Sequence, residues 1–145
     1  MLDESLNKPW WALRLSYGLV PIIAGLDKFT NVLVDWRQYL SPVAERVLPV
    51  SGATFMRLAG VIEIVAGILV LTRFTRFAAY IVSAWLLAIA LNLITSGRYL
   101  DVAVRDLVMA IGAFVFARMT AVREGTSAHA RSKQKRTLEP SHVGV

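Results

Sequence analysis

Apolar residues occur in four blocks along the chain, and most charged residues lie between these blocks or after the last one. The blocks cover residues 10–26, 55–71, 77–94 and 102–117. Each block would form about 25 Å of α-helix, and aromatic residues at the flanks extend its apolar length towards the ~30 Å of a bilayer core. The remaining polar sequence is too short to cover four such helices from water. The pattern therefore predicts an all-α integral membrane protein, a four-helix bundle formed by residues 1–121.

The connections between the blocks differ in length. Residues 72–76 form a tight turn, which predicts an antiparallel hairpin of the second and third helices. The connection over residues 27–54 is long, and its apolar residues recur at steps of three and four: Leu33, Trp36, Leu40, Val43 and Val47. This spacing predicts short amphipathic helices that lie on the outer membrane surface or cap the bundle. Residues 122–145 are polar and basic without periodicity, so we predict a disordered cytoplasmic tail.

Composition and charge limit the chemistry that the chain can perform. Apolar residues make up 56% of the sequence, against about 45–50% in soluble domains. The net charge of +6 arises largely after the last apolar block, where basic residues commonly face anionic lipid headgroups, so nucleic acid is not the expected partner. The absence of cysteine excludes disulfides and thiolate metal sites. Both histidines, His129 and His142, lie in the tail, which excludes a haem held by histidines inside the bundle.

The distribution of Lys and Arg predicts the orientation of the protein. Four spans place both termini on one side, and that side holds more cations than the side that carries residues 27–54. The positive-inside rule then places both termini in the cytoplasm of a bacterial plasma (inner) membrane. A cleaved signal peptide is not expected, because Asp3 and Glu4 replace the usual basic residues and Arg14 interrupts the first apolar block.

Four ionisable residues fall inside the apolar blocks, where they are costly and by default indicate function. They are Arg14, Glu63, Arg105 and Asp106, and the amide of Asn92 joins them. Helical spacing puts Arg14, Glu63 and Asp106 each on a face with Gly or Ala, which favours an inward direction because small residues line helix contacts in membranes. Two interpretations remain open: interior ion pairs that only fix the helix register, or a ligand site.

Depth along the helices favours a site near the outer side. Arg105, Asp106 and Asn92 lie close to that side, and Lys28 lies at the outer end of the first helix. Glu63 lies about 12 Å deeper, near the midplane. We expect Arg14 or Arg105 to pair with Glu63, which would then form the floor of a small pocket that opens outwards. No residues form a recognisable catalytic set, and no two carboxylates have the helical spacing of a metal site.

Two segments resemble the DoxX-like family of small bacterial membrane proteins. They are RLSYGLVPIIAGLDKF at residues 14–29 and GVIEIVAGILV at residues 60–70. The order of four spans with one long first loop is also similar, so the resemblance covers residues 10–119. It implies a four-helix inner-membrane fold. Relatives include a subunit type of thiosulfate:quinone oxidoreductase, and members proposed to anchor redox and oxidative-stress enzymes at the membrane.

Three functions are compatible with these features. The first is a non-enzymatic scaffold or accessory subunit of a membrane redox or stress-response complex, with a membrane or cytoplasmic redox protein as partner. The second is a quinone- or lipid-binding subunit of an oxidoreductase, with Glu63, Asn92, Arg105 and Asp106 lining the pocket. The third is a small transporter or proton conductor that uses Glu63 as a carrier and forms a homo-oligomer. The sequence contains no evident cofactor motif, a quinone being the one cofactor that it suits.

Overall fold

The computed structural model describes residues 2–138, with side chains described for residues 5–136, and this part of the chain is helical with no strands. Helix α1 covers Leu2–Thr30, and a 3-10 helix covers Trp36–Tyr39. The remaining helices are α2 (Pro42–Val47), α3 (Gly52–Leu71), α4 (Thr75–Ser96) and α5 (Leu100–Leu138). The all-α prediction is confirmed, and the short helices expected in the first loop are present as the 3-10 helix and α2.

The four long helices pack as two close pairs. Helix α1 lies along α3, and α4 lies along α5, while α3–α4 and α1–α5 contacts join the pairs. The main cluster of buried residues lies in the half of the molecule that contains the α3–α4 turn, and its largest fully buried side chain is Phe116. We call this half the terminal end, and the half covered by residues 31–51 the loop end. The indole Nε1 of Trp10 donates to Thr120 Oγ1 at 2.9 Å and so ties α1 to α5 at the terminal end.

Glycines set the distance between α1 and α3. Gly25 and Gly60 each place a carbonyl oxygen where a Cβ of the other would be. The carbonyl of Gly18 likewise occupies the Cβ position of Gly67, while a Cβ on Gly18 would meet the Leu71 side chain. The two helices are therefore in direct backbone contact at two levels. This contact fixes an antiparallel register in which Glu63, between Gly60 and Gly67 of α3, lies level with the segment between Gly18 and Gly25 of α1.

Short side-chain caps fold the first loop. Asp35 accepts a hydrogen bond from the backbone N–H of Arg37 at the start of the 3-10 helix. Ser41 accepts one from the N–H of Ala44 at 3.1 Å, and Pro42 follows it at the first position of α2, where proline is favoured. Ser41 and Leu40 are buried against the bundle. The loop therefore covers one end of the bundle, as the sequence predicts.

The prediction of a disordered tail over residues 122–145 is wrong for residues 122–138, which belong to helix α5. The helix continues without interruption to Leu138, so residues 122–138 are helical, and residues 139–145 lie outside the described part of the chain. The physical reason is propensity: Ala, Arg, Lys and Gln dominate this segment and favour a helix even without an apolar face. Gly125 is the residue that disfavours it most, and the first proline after Leu100 is Pro140.

Two of the described helices are long and apolar enough to cross a membrane. Helix α3 has 20 residues and a mean hydropathy of 2.0, and α4 has 22 residues and a mean hydropathy of 2.1. Only 33% and 28% of these apolar windows are buried inside the protein. The long apolar stretches of α1 and α5 are interrupted by Arg14 in α1 and by the adjacent Arg105 and Asp106 in α5.

Candidate functional site

A cavity of about 920 Å³ lies between the long helices and beneath the first loop. Its wall is mainly aliphatic and aromatic; Ser16 and Tyr17 line it from the middle of α1, and its charged and amide groups and two indoles lie further towards the loop end. They belong to Lys28, Trp36, Glu63, Trp85, Asn92, Arg105 and Asp106. Ligand sites in proteins commonly have this combination of volume, apolar wall and few polar groups. This cavity is therefore the candidate functional site.

A buried ion pair lies in the wall of the cavity. Lys28 Nζ lies 2.6 Å from Glu63 Oε2, and both residues are only 7% exposed. Trp85 Nε1 donates to the other carboxylate oxygen, Oε1, at 3.2 Å. The ammonium group also lies 3.6 Å from the centre of the Trp36 ring, a cation–π contact. Two charges and two indoles from α1, α3, α4 and the 3-10 helix thus meet at one point.

The geometry of α1 explains why Lys28 is the partner of Glu63. Lysine at the last turn of α1 lies on the face that meets Gly60, and a Cβ on Gly60 would lie only 3.2 Å from Lys28 Cβ. Helical side chains point towards the N-terminus of their helix. From position 28 this direction leads down to Glu63. The absence of a side chain at Gly60 leaves room for the lysine stem.

The predicted pairing of Glu63 with Arg14 is wrong. Arg14 lies level with the C-terminus of α3, and its side chain also points towards the N-terminus of α1, away from Glu63. Its Nη2 donates to the carbonyl oxygens of Leu71 at 2.6 Å and Thr72 at 2.8 Å, and its Nε donates to Val70 at 3.3 Å. These carbonyls lack partners within their own helix, so the arginine satisfies the negative end of the α3 dipole. Arg14 lies outside the cavity.

The predicted pairing of Glu63 with Arg105 is also wrong. Arg105 Nε and Nη2 both donate to Asp106 Oδ1 at 3.2 Å, within the same helix. The Asp106 side chain is 7% exposed, whereas the Arg105 side chain is 65% exposed. Both residues line the cavity. The Arg105 Nη1 group makes no hydrogen bond among the described residues and remains a donor.

Asn92 has a structural role in the site. Its amide Nδ2 donates to the carbonyl of Tyr39 at 2.8 Å, and its Oδ1 accepts from the N–H of Ser41 at 3.2 Å. Both polar atoms of the side chain are thus engaged with the backbone of the first loop. Asn92 lines the cavity and holds the loop over it.

Asp27 anchors the other end of the same loop. Its carboxylate accepts hydrogen bonds from the N–H groups of Val32 and Leu33 and, at 2.7 Å, from Trp36 Nε1. Burial of Asp27 opposes its charge, but the donors from Leu33, Trp36 and Val32 outweigh burial and lower the pKa of this carboxyl from its ordinary value. The charged carboxylate therefore positions Trp36 against Lys28.

The structure brings together five of the six candidate residues from the sequence. Lys28, Glu63, Asn92, Arg105 and Asp106 line one cavity, and Arg14 lies at the opposite end. Sequence reasoning missed the contributions of Trp36 and Trp85. Their signal was present, since an indole N–H in an apolar helix needs an acceptor, but the acceptor follows only from the fold. Among the described residues no three His, Asp or Glu side chains converge on a metal site.

The comparison with protein families supplies the remaining finding. The family model described as DoxX matches residues 10–95, which is more than half of the chain. The match contains Lys28, Glu63, Trp85 and Asn92, while Arg105 and Asp106 of α5 lie beyond it. No curated protein and no solved structure matches the chain significantly. The resemblance seen in the sequence is thus confirmed, and the chain belongs to the DoxX family.

Proposed function

We propose that this DoxX-family protein crosses the bacterial inner membrane with four helices and binds an amphipathic ligand, a quinone or a lipid, as a non-catalytic subunit of a membrane redox complex. The observation that carries the proposal is the 920 Å³ cavity, whose apolar wall contains a charged pair and further donors at one end. A molecule with an apolar body and a polar head has the matching chemistry.

The outer surfaces of α1 and α5 support four membrane spans. On α1, Leu15, Leu19, Ile23 and Leu26 are all between 46% and 56% exposed. On α5, Val104, Val108, Ile111 and Val115 are between 47% and 63% exposed. Monomeric soluble proteins rarely expose continuous apolar stripes of this extent. Lipid would cover both stripes, as it would cover the outward faces of α3 and α4.

The polar groups of the cavity suit a ligand that accepts hydrogen bonds. Lys28 Nζ carries three protons, and one of them is directed at Glu63. Arg105 Nη1 is unengaged within the described residues, and its side chain reaches the cavity from α5. A quinone carbonyl or a lipid ester requires donors of this kind. The electrons of any redox reaction would come from a partner protein.

The geometry weakens the third interpretation, a proton-conducting oligomer. The Glu63 carboxylate is bound to Lys28 on one oxygen and to Trp85 on the other. A proton carrier needs a carboxylate that is open to a transport path, whereas both oxygens of this carboxylate are held by protein groups. The accessory-subunit interpretation is compatible with ligand binding, because residues 124–136 of α5 form an exposed basic helical segment on which a partner would dock.

The test is the co-purification of a ligand. The protein would be extracted in mild detergent, and bound quinones and lipids would be measured by mass spectrometry as a molar ratio to protein. Ala88→Phe adds a ring at an exposed position that lines the cavity, and Ala84→Phe adds the same ring on the same helix away from it. We expect Ala88→Phe to lower ligand retention about tenfold, since overpacking costs ~1–3 kcal/mol, and Ala84→Phe to retain it. Equal retention in both variants, or no ligand in the unaltered protein, would refute the proposal.

A further inference from the structure

A second pocket lies at the terminal end of the molecule, on the opposite side from the cavity. Its volume is about 350 Å³. The N-terminal half of α1, the α3–α4 turn and the C-terminal half of α5 all contribute to it. Its charged lining residues are Arg14, Arg73, Arg123, Glu124 and Arg131. Four arginines and one glutamate thus surround one small space.

Within the described residues, none of these four arginines forms an ion pair with a carboxylate. Arg14 binds three backbone carbonyls, and Arg123 binds Asn7 Oδ1 at 2.7 Å while it lies over the Trp10 ring at 4.3 Å. Arg73 and Arg131 form no hydrogen bond or ion pair within the described residues. The single acid, Glu124, faces Arg76 at 3.8 Å, which offsets its charge. A cluster of cations without paired carboxylates attracts an anion to this pocket.

We propose that this pocket binds a phosphate group, and that the headgroup of an anionic phospholipid supplies it. Guanidinium groups match phosphate oxygens with paired hydrogen bonds, and several converging arginines provide them from different directions. In the orientation proposed above, the terminal end faces the cytoplasmic leaflet, which carries anionic lipid, and basic pockets between helices on that side bind such headgroups. Trp10 and Trp11 lie beside Arg14 at this level and are typical of the membrane interface.

Two ligands could supply the phosphate group to this site. A lipid headgroup reaches the pocket from the bilayer, whereas free phosphate reaches it from water and needs no membrane. The lipid form rests on the proposed membrane orientation, and the phosphate chemistry of the pocket does not. The cavity at the loop end shares no lining residue with this pocket. A failure to find a ligand in the cavity would therefore not decide whether this pocket binds phosphate.

The experiment measures lipid and phosphate binding to the full chain in detergent. Phosphatidylglycerol, phosphatidylcholine and inorganic phosphate are titrated separately, and binding is followed by native mass spectrometry and by the shift in melting temperature. Arg73→Gln and Arg131→Gln remove cations that make no internal hydrogen bond. Arg118→Gln removes an exposed cation of α5 that does not line the pocket, and it is the matched control.

We expect phosphatidylglycerol to bind more tightly than phosphatidylcholine, and each of Arg73→Gln and Arg131→Gln to weaken it about fivefold. Arg118→Gln should leave the affinity within about twofold, and Arg131→Lys, which keeps the charge, should lose less than Arg131→Gln. Binding of inorganic phosphate with the same pattern would support the site with free phosphate as its source. The proposal would be overturned if Arg118→Gln weakened binding as much as the pocket variants do. It would also be overturned if phosphatidylglycerol bound no more tightly than phosphatidylcholine and inorganic phosphate did not bind. Arg73, Arg118 and Arg131 are all exposed, so each variant should purify as a folded protein. A single symmetric peak in size-exclusion chromatography would check this.

Discussion

At the scale of single residues, the Lys28–Glu63 pair is the feature that most needs explanation. Burying each charge costs several kcal/mol, so an apolar pair of the same volume would often leave the protein equally stable or more stable. The pair lies in a cavity wall, is 7% exposed, and has two indoles arranged around it. This arrangement orients the Lys28 ammonium group, and Asp27 adds to it by fixing Trp36. We therefore propose that the pair serves the site more than it serves stability.

A double-mutant cycle tests whether the two charges depend on each other. Glu63→Ala leaves the Lys28 ammonium group unpaired, and removal of one partner of a buried pair typically costs about 3–5 kcal/mol. Glu63→Gln keeps one acceptor oxygen, which can still accept from Lys28, so its cost should be smaller than that of Glu63→Ala. The cost should not vanish, because the amide is neutral and its NH2 group would face Trp85 Nε1, which is also a donor. Adding Lys28→Met to Glu63→Ala should restore part of the lost stability, because no unpaired charge remains.

The measurement for this cycle is the free energy of unfolding in a detergent titration of all four proteins. A double variant whose loss equals the sum of the single losses would show that the two charges do not interact. In that case Lys28 would serve the ligand alone.

At the scale of helices, the sequence predicted more of the elements than of their register. The four apolar blocks and the helical spacing of the first loop predicted the order of the helices, but residues 122–138, predicted to be disordered, continue α5 as helix. The small residues that share faces with Arg14 and Glu63 indicated close helix contacts, and Gly18–Gly67 and Gly25–Gly60 provide them. Spacing alone does not tell how far one helix slides along another. For that reason the sequence could place Glu63 in a pocket but not identify Lys28 as its partner.

The glycine contacts between α1 and α3 give a prediction at this scale. Gly67→Ala places a methyl group against the carbonyl of Gly18 and the Ile22 side chain, so α1 and α3 must separate. We expect a loss of about 1–3 kcal/mol in the free energy of unfolding. Gly125→Ala is the matched control, because nothing lies within 4 Å of a Cβ at that position in α5. Alanine there should be neutral or should stabilise the helix by up to ~1 kcal/mol. Similar effects of the two substitutions would mean that helix contact is not the cause.

At the scale of the whole molecule, the two ends differ in chemistry. The loop end holds an apolar cavity with a paired cation and anion, and the terminal end holds a small pocket surrounded by arginines. Residues 122–138 extend the basic surface of the terminal end as a helix. A bilayer with anionic lipid on one side would favour a single orientation of such a molecule, with the terminal end towards the anionic leaflet.

This asymmetry leads to a prediction of topology that the sequence makes easy to test. The chain contains no cysteine, so each engineered cysteine is the only thiol that a maleimide label would modify. Val47→Cys lies in the first loop at a position that is 78% exposed, and Ser132→Cys lies at an exposed position on the basic extension of α5. With both termini in the cytoplasm, a membrane-impermeant maleimide added to cells with a permeable outer membrane should label Val47→Cys at once. Ser132→Cys should react only after the inner membrane is opened. Labelling of Ser132→Cys in sealed cells would reverse the orientation, and with it the leaflet that faces the arginine pocket.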